Sequence, residues 1–240
     1  MQITKNEFKQ ASKLKQKKYR RLENSVLIEG KRLIDQIMAN GLTPEKIFYQ
    51  QDTANPYPHL PHAELSEEQL RKLSFTQNPQ KVMAILPTKS PAIEKRRLLL
   101  YLDGVSEPGN LGTIFRTATA AKVDGIVLSD DCCDIWNDKA IRASLGTIFS
   151  MPSEIKPQSW LSEQDAHVVS SSLQDSHDLF SSKLSDKNQI LVIGSEAFGI
   201  SKTAIEASDE LIKIPMLDQV ESLNVAVATG IIIFHYSQQI

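Results

Sequence analysis

From Leu98 onward, four short apolar runs, LLLYLDGV, GIVLSD, HVVSSS and QILVIGSE, are each followed by a polar loop and then a helical pattern. Strands that are apolar almost throughout and alternate with helices belong to a parallel sheet covered on both faces. Such sheets bind ligands outside the carboxyl ends of their strands, so any chemistry should sit in the segments just after the strands. Ile214-Pro215-Met216 reads as a fifth strand running into a loop.

The first part of the chain is built differently. SVLIEGKRLIDQIMANGL predicts a short strand, then a helix with Leu33, Ile34, Ile37 and Met38 on one face, ended by Asn40-Gly41 as a C-cap. KIFYQ and KVMAILP read as further strands, and SEEQLRKLS as a helix capped by Ser66 three residues before Gln69. Residues 1–88 therefore form a small α/β unit. TKSPAIEKRR, with Pro91 and a charge run, reads as a linker over 89–97, and 98–240 is the parallel-sheet domain.

Composition excludes several classes. No run of about 18 apolar residues occurs, and MQITKNEFKQ lacks the apolar core of a signal peptide, so a soluble cytoplasmic protein is expected. Cys132 and Cys133 are adjacent and cannot readily bridge, and the five histidines lack metal-ligand spacing, so no metal is expected. The net charge of −2 argues against a wholly basic nucleic-acid binder. The N-terminus departs from that average: Lys13, Lys15, Lys17, Lys18 and Arg20 stand in a basic cluster suited to phosphate contact. A solvated basic helix face is the alternative reading.

Three post-strand segments carry candidate chemistry. In DGVSEPGNLGTIFRTATAA a tight turn precedes a helix beginning near Thr113, and Arg116 lies one turn in, with Asn110 either a cap or a site group. GSEAFGIS has phosphate-loop glycines, but Ile200-Ser201 stands where a lysine would reach the phosphates, and no G-x-G-x-x-G follows a strand. What remains is Glu196 at a strand end. In IPMLDQVESLNVAVATG, Pro215 shapes a loop, and Ser222 and Asn224 stand at the mouth of a helix over 225–236. Ser222 as its N-cap is the plain alternative, and the small apolar interior of that helix suits packing against a second subunit.

Taken together in this order and spacing, Asn110-x-Gly112-x-x-x-Arg116, IGSEAFGIS and IPMLDQVESLNVAVATG resemble the three motifs of the SpoU (TrmH) family of RNA ribose 2′-O-methyltransferases, in the SPOUT superfamily. KLKQKKYRRLENSVLIEGKRLI and LRKLSFTQNPQKVMAIL resemble the family's N-terminal substrate-binding domain, and RASLG, with Arg142, a further stretch of it. The resemblance implies a trefoil-knotted α/β domain whose knot holds S-adenosylmethionine, a homodimer, and RNA as substrate. It assigns catalysis to Arg116 with Asn110, Glu196, Ser222 and Asn224. The cofactor would be lined by Ser171, Gly194, Glu196, Ile214, Met216, Leu223 and Ala226, and RNA would meet the basic cluster and Arg142. Whether Arg116 takes the proton or orients the hydroxyl stays open, as does whether it acts within its own chain.

Family members often carry Gly at the positions of Ala197 and Asp218. Ala197 would be unfavourable if its backbone needed positive φ. Ribosomal RNA is the expected substrate. A tRNA ribose methyltransferase, or an RNA-binding ribosome-assembly factor without catalysis, are the alternatives.

Overall fold

The computed structural model describes residues 2–174 and 176–240. Its N-terminal unit begins with α1 (Lys5–Lys13), started by a capping box in which Thr4 and Glu7 satisfy each other's backbone amides, and α2 (Lys17–Glu23). Strand β1 (Ser25–Glu29) and α3 (Lys31–Ala39) follow, then β2 (Lys46–Gln50), β3 (His62–Leu65), α4 (Glu67–Leu73) and β4 (Val82–Pro87). The sheet order is β1-β4-β2-β3, antiparallel except for β2 with β3. The expected C-cap of α3 is present, with Asn40 capping and Gly41 at φ +89°, where a side chain would be strained. Ser66 and Gln69 form the expected capping box of α4.

The second unit is a seven-stranded parallel sheet. Its elements are β5 (Leu98–Asp103), α5 (Pro108–Ala120), β6 (Gly125–Ser129), α6 (Asp138–Ser144), β7 (Ser153–Lys156), β8 (His167–Ser171), β9 (His177–Asp178), β10 (Gln189–Gly194), α7 (Lys202–Glu206), β11 (Glu210–Lys213) and α8 (Val225–Ser237). The order is β7-β6-β5-β10-β8-β11-β9. The late strands are thus inserted: β10 lies between β5 and β8, and β11 between β8 and β9. β5, β6 and β10 are buried along their whole length, as their unbroken apolar runs require. The edge strands β7 and β9 are short and polar, and no periodicity in the sequence marks them.

The two units share one continuous apolar core that joins Val26, Ile34 and Ile37 to Leu98, Ile141 and Ile148. Gly146 makes the close approach possible: a Cβ there would lie 2.6 Å from Ile37 Cγ1. Ile93, midway along the connection, is buried with Leu99, Tyr101 and Val127, so the segment read as a linker is docked on the sheet. None of the described helices is long and apolar enough to cross a membrane.

Candidate active site

Asn110, Glu196 and Asn224 come from the ends of three different strands and meet. Asn110 Nδ2 donates to Glu196 Oε1 at 2.8 Å, and Asn224 Nδ2 donates to Asn110 Oδ1 at 3.0 Å. Glu196 Oε2 also accepts from the Ser106 amide at 3.5 Å. Asn224 uses its own Oδ1 to accept from the amides of Ala226 and Val227, so it caps α8 with one side-chain atom and holds Asn110 with the other. Ser222, the alternative cap, is exposed and joins none of these bonds among the described residues. Asn110 is not a cap either, because α5 begins earlier than expected. Pro108 occupies its first turn, where a missing amide costs nothing, and Glu107 accepts from the Gly109 amide.

Arg116 is exposed on α5, six residues beyond Asn110 and so about a third of a turn round the helix from it. Within one chain it does not join the Glu196–Asn110–Asn224 arrangement. Thr113 and Thr117 share the face of Asn110 and, with Val227, Ile231 and Phe234, line an open groove of about 570 Å³ between α5 and α8.

The expected cofactor residues cluster at the carboxyl ends of adjacent strands β10, β8 and β11. Gly194 ends β10, Ser171 ends β8 opposite Ile212, and Ile214 follows β11. Gly194 is buried, and the close approach of the returning chain requires glycine there: a Cβ would lie 2.1 Å from the Gly199 carbonyl carbon. The returning chain is pinned by the Ser201 amide, which donates to buried Asp103 at 2.6 Å. Ile214, Met216 and Leu223 are half-buried and Ala226 is buried. Among the described residues, the only backbone hydrogen bond between groups of 215–223 runs from the Val220 amide to the Leu217 carbonyl. The other peptide groups of that loop are open to a polar ligand, which fits a cofactor gripped through the backbone. Ala197 has no positive φ, so the alanine there is unstrained.

The basic segment is divided by the structure. Lys17 and Lys18 are exposed. Lys13 is half-buried with its Nζ 5.1 Å from the Tyr19 ring centre. Lys15 Nζ donates to the carbonyls of Lys72 and Ser74 at the end of α4. Arg20, expected in the RNA-binding cluster, is 6% exposed, donates to the carbonyls of Leu14 and Lys15, and pairs with Asp134 of the sheet domain. Burying a guanidinium requires such partners; they engage its two terminal nitrogens, while Nε is buried with no partner among the described residues. Arg142 lies 2.9 Å from Asp138 and lines the seam between the two units beside Glu29. A basic residue near the N-terminus is thus a fastening as readily as a phosphate contact, and spacing alone does not separate the two.

Asp103, Glu107 and Phe198 were not marked by the sequence reading. The signal for the first two is an acid at the end of a strand or in the short loop after it, as for Glu196. No group of three His, Cys, Asp or Glu residues among those described can hold a metal ion. Burial pushes the Cys133 thiol up to about 12 and raises that of Cys132, so neither is a ready nucleophile.

A model of the SpoU rRNA Methylase family matches residues 97–234, and one of the MRM3-like substrate binding domain matches 5–84. The chain is 31% identical over 230 residues to the 23S rRNA (guanosine(2553)-2′-O)-methyltransferase RlmP of Bacillus subtilis, covering 93% of this chain and 92% of that one. It is 36% identical over 153 residues to the 23S rRNA (guanosine-2′-O-)-methyltransferase RlmB of Salmonella typhi, across 62% and 63% of the two chains. Its structure superposes with a TM-score of 0.86 on an AdoMet-bound rRNA methyltransferase from Sinorhizobium meliloti, at 26% identity and with 98% and 96% of the chains covered. With one family model spanning the parallel-sheet unit and a relative aligned over nine-tenths of both chains, the chain belongs to the SpoU rRNA methylase family.

Proposed function

We propose that this protein transfers a methyl group from S-adenosylmethionine to a ribose 2′-hydroxyl of ribosomal RNA. The observation that carries the reading is the Glu196–Asn110–Asn224 chain of hydrogen bonds, which joins the segments that follow three strands of the parallel sheet. The rRNA methyltransferases it resembles supply the substrate class.

The bound cofactor supplies an electrophilic methyl on a sulfonium. Its methyl would pass from sulfur to the 2′-oxygen, leaving a thioether, and the hydroxyl proton would pass to solvent. A hydroxyl is a poor nucleophile until its proton is drawn away. A guanidinium carries a fixed charge, five donors and no lone pair, which suits Arg116 to holding the oxygen and balancing its developing charge rather than acting as a base. Asn110, held between Glu196 and Asn224, has its amide orientation set by both neighbours and keeps the cofactor loops in register. Ser171, Gly194, Ile214, Met216, Leu223 and Ala226 would line the cofactor, with Ser222 at the mouth.

Arg116 stands off the cluster of its own chain, which favours action on a site of a second copy. The groove between α5 and α8 supports that reading, with Val227 53% and Phe234 41% exposed along it. We therefore propose a homodimer seated on these helices, each copy lending Arg116 to the other. Insertion of β10 and β11 between earlier strands is the order that threading the C-terminal segment into a knot requires, and it supports the trefoil. Lys17 and Lys18, both exposed, would meet the phosphate backbone.

The test is transfer of tritiated methyl from S-adenosylmethionine to rRNA from a strain lacking the protein, followed by mapping of the 2′-O-methyl position. Incorporation at one nucleotide is expected. RNA binding without incorporation or cofactor affinity would leave a non-catalytic assembly factor as the better reading.

A further inference from the structure

After β10 the chain reverses within five residues. Ser195 and Gly199 exchange backbone hydrogen bonds at 2.9 and 3.0 Å, and the Phe198 amide donates to Ser195 Oγ at 3.1 Å. Gly199 completes the reversal at φ +69°, a conformation side chains rarely adopt. Asp103 anchors the far side of the turn through the Ser201 amide. The turn is therefore held at both ends, and it presents two side chains. Glu196 reaches Asn110 in the candidate site. Phe198 stands 92% exposed, the most exposed of the large apolar residues among those described.

Nothing in the turn's own fold calls for that ring. A phenyl group left in water forgoes the burial that drives folding, and here a backbone hydrogen-bonded on both sides keeps it from collapsing onto the core. Resting on the methyltransferase reading, we propose that Phe198 is a stacking platform for a nucleobase of the RNA substrate beside the methylated ribose.

The chemistry selects this occupant. Single-stranded or flipped bases are recognised by stacking on aromatic rings, and a ribose must leave regular helix geometry before its 2′-oxygen can be approached in line. Glu196 and Phe198 are two residues apart on one rigid turn, so a base stacked on the ring holds its ribose near the Glu196 cluster. A protein partner would call for a continuous apolar patch. The chain has one, along α5 and α8, on a surface formed by other residues.

The experiment compares wild type with Phe198→Ala, Phe198→Trp and Phe198→Leu. Its readouts are methyl transfer to in vitro transcribed large-subunit rRNA, filter binding of that RNA, calorimetric titration of S-adenosylmethionine and mass by light scattering. Loss of one base stack predicts that Phe198→Ala raises the RNA KM and filter-binding Kd roughly five- to hundred-fold. Phe198→Trp should stay within about two-fold of wild type, while Phe198→Leu, apolar but without a π face, should be nearly as weak as alanine. Cofactor affinity and mass should not change.

RNA affinity within about two-fold of wild type for Phe198→Ala, or full rescue by leucine, overturns the proposal. A drop in cofactor affinity would place the ring over the cofactor, and a halved mass would place it in a subunit contact; either also overturns it. If wild type transfers no methyl, the methyltransferase reading fails, and the filter-binding comparison still decides whether Phe198 stacks on RNA.

Discussion

Asn110 shows how much one side chain decides. Its amide offers a donor to Glu196 and an acceptor to Asn224, so the first turn of α5, the loop after β10 and the start of α8 are joined through a single group. Arg116 differs in kind, because it touches none of them in its own chain. Arg116→Ala is accordingly expected to lower kcat by about 100-fold or more, the order seen when one transition-state donor is lost, with cofactor affinity unchanged. Asn224→Ala should weaken both transfer and cofactor binding, and should destabilise the fold by about 1 kcal/mol through loss of the α8 cap. Methyl incorporation, calorimetry and urea denaturation of both variants check the split; wild-type activity in Arg116→Ala would remove its assigned role. Gly194→Ala forces a Cβ into the Gly199 backbone, 2.1 Å away, and should cost about 1–3 kcal/mol with loss of cofactor binding. Denaturation midpoints read the cost directly. Asn110, Arg116, Glu196 and Asn224 were all legible in the sequence as motif positions. Their connections were not, because residues over 80 positions apart carry no mark of which hydrogen bond joins them.

At the scale of elements, the outer part of the sheet is tied to the C-terminal helix by a polar cluster around Glu210 on β11. His167 of β8 and His177 of β9 reach its two oxygens at 3.2 and 2.6 Å. Ser182 bonds to it as well, and also to buried Tyr236 of α8 at 2.6 Å. Burial pushes the Glu210 carboxyl up, but the hydrogen bonds from Ser182, His167 and His177 outweigh it and hold the group below its ordinary value of 4.5. A depressed carboxyl contributes stability above the unfolded value and loses it as pH falls through the folded one. The melting temperature should therefore decline as pH drops below about 4.5, and Glu210→Gln should flatten part of that decline. Thermal melts of both proteins from pH 7 to 3 test it, and parallel curves would show that the cluster plays no part. The strands of this region were read correctly where they are apolar, as in β8 and β10. β9 was missed because a two-residue polar edge strand exists only through its pairing with β11.

For the whole molecule, the two units act as one body because their cores merge and because Arg20 crosses from the N-terminal unit to Asp134. The N-terminal unit is thereby held at one angle to the parallel-sheet unit that carries the candidate site. The proposed dimer makes a prediction at this scale. Light scattering should give a mass near twice 26.8 kDa, and Phe234→Glu, which puts a charge in the α5–α8 groove, should give the single-chain mass and lose methyl transfer. A Phe234→Glu protein that stays dimeric would move the interface elsewhere. The sequence by itself determined the class of fold, a parallel sheet alternating with helices behind a smaller α/β unit. Periodicity, turn formers and strand-end positions are local properties, written over a few neighbouring residues. The tertiary structure alone decided that β10 and β11 enter between earlier strands, that Arg20 is buried against Asp134, and that Asn110 links Glu196 to Asn224. Each of these depends on groups distant in the chain being brought within a few ångströms, which is set by how the packed core closes.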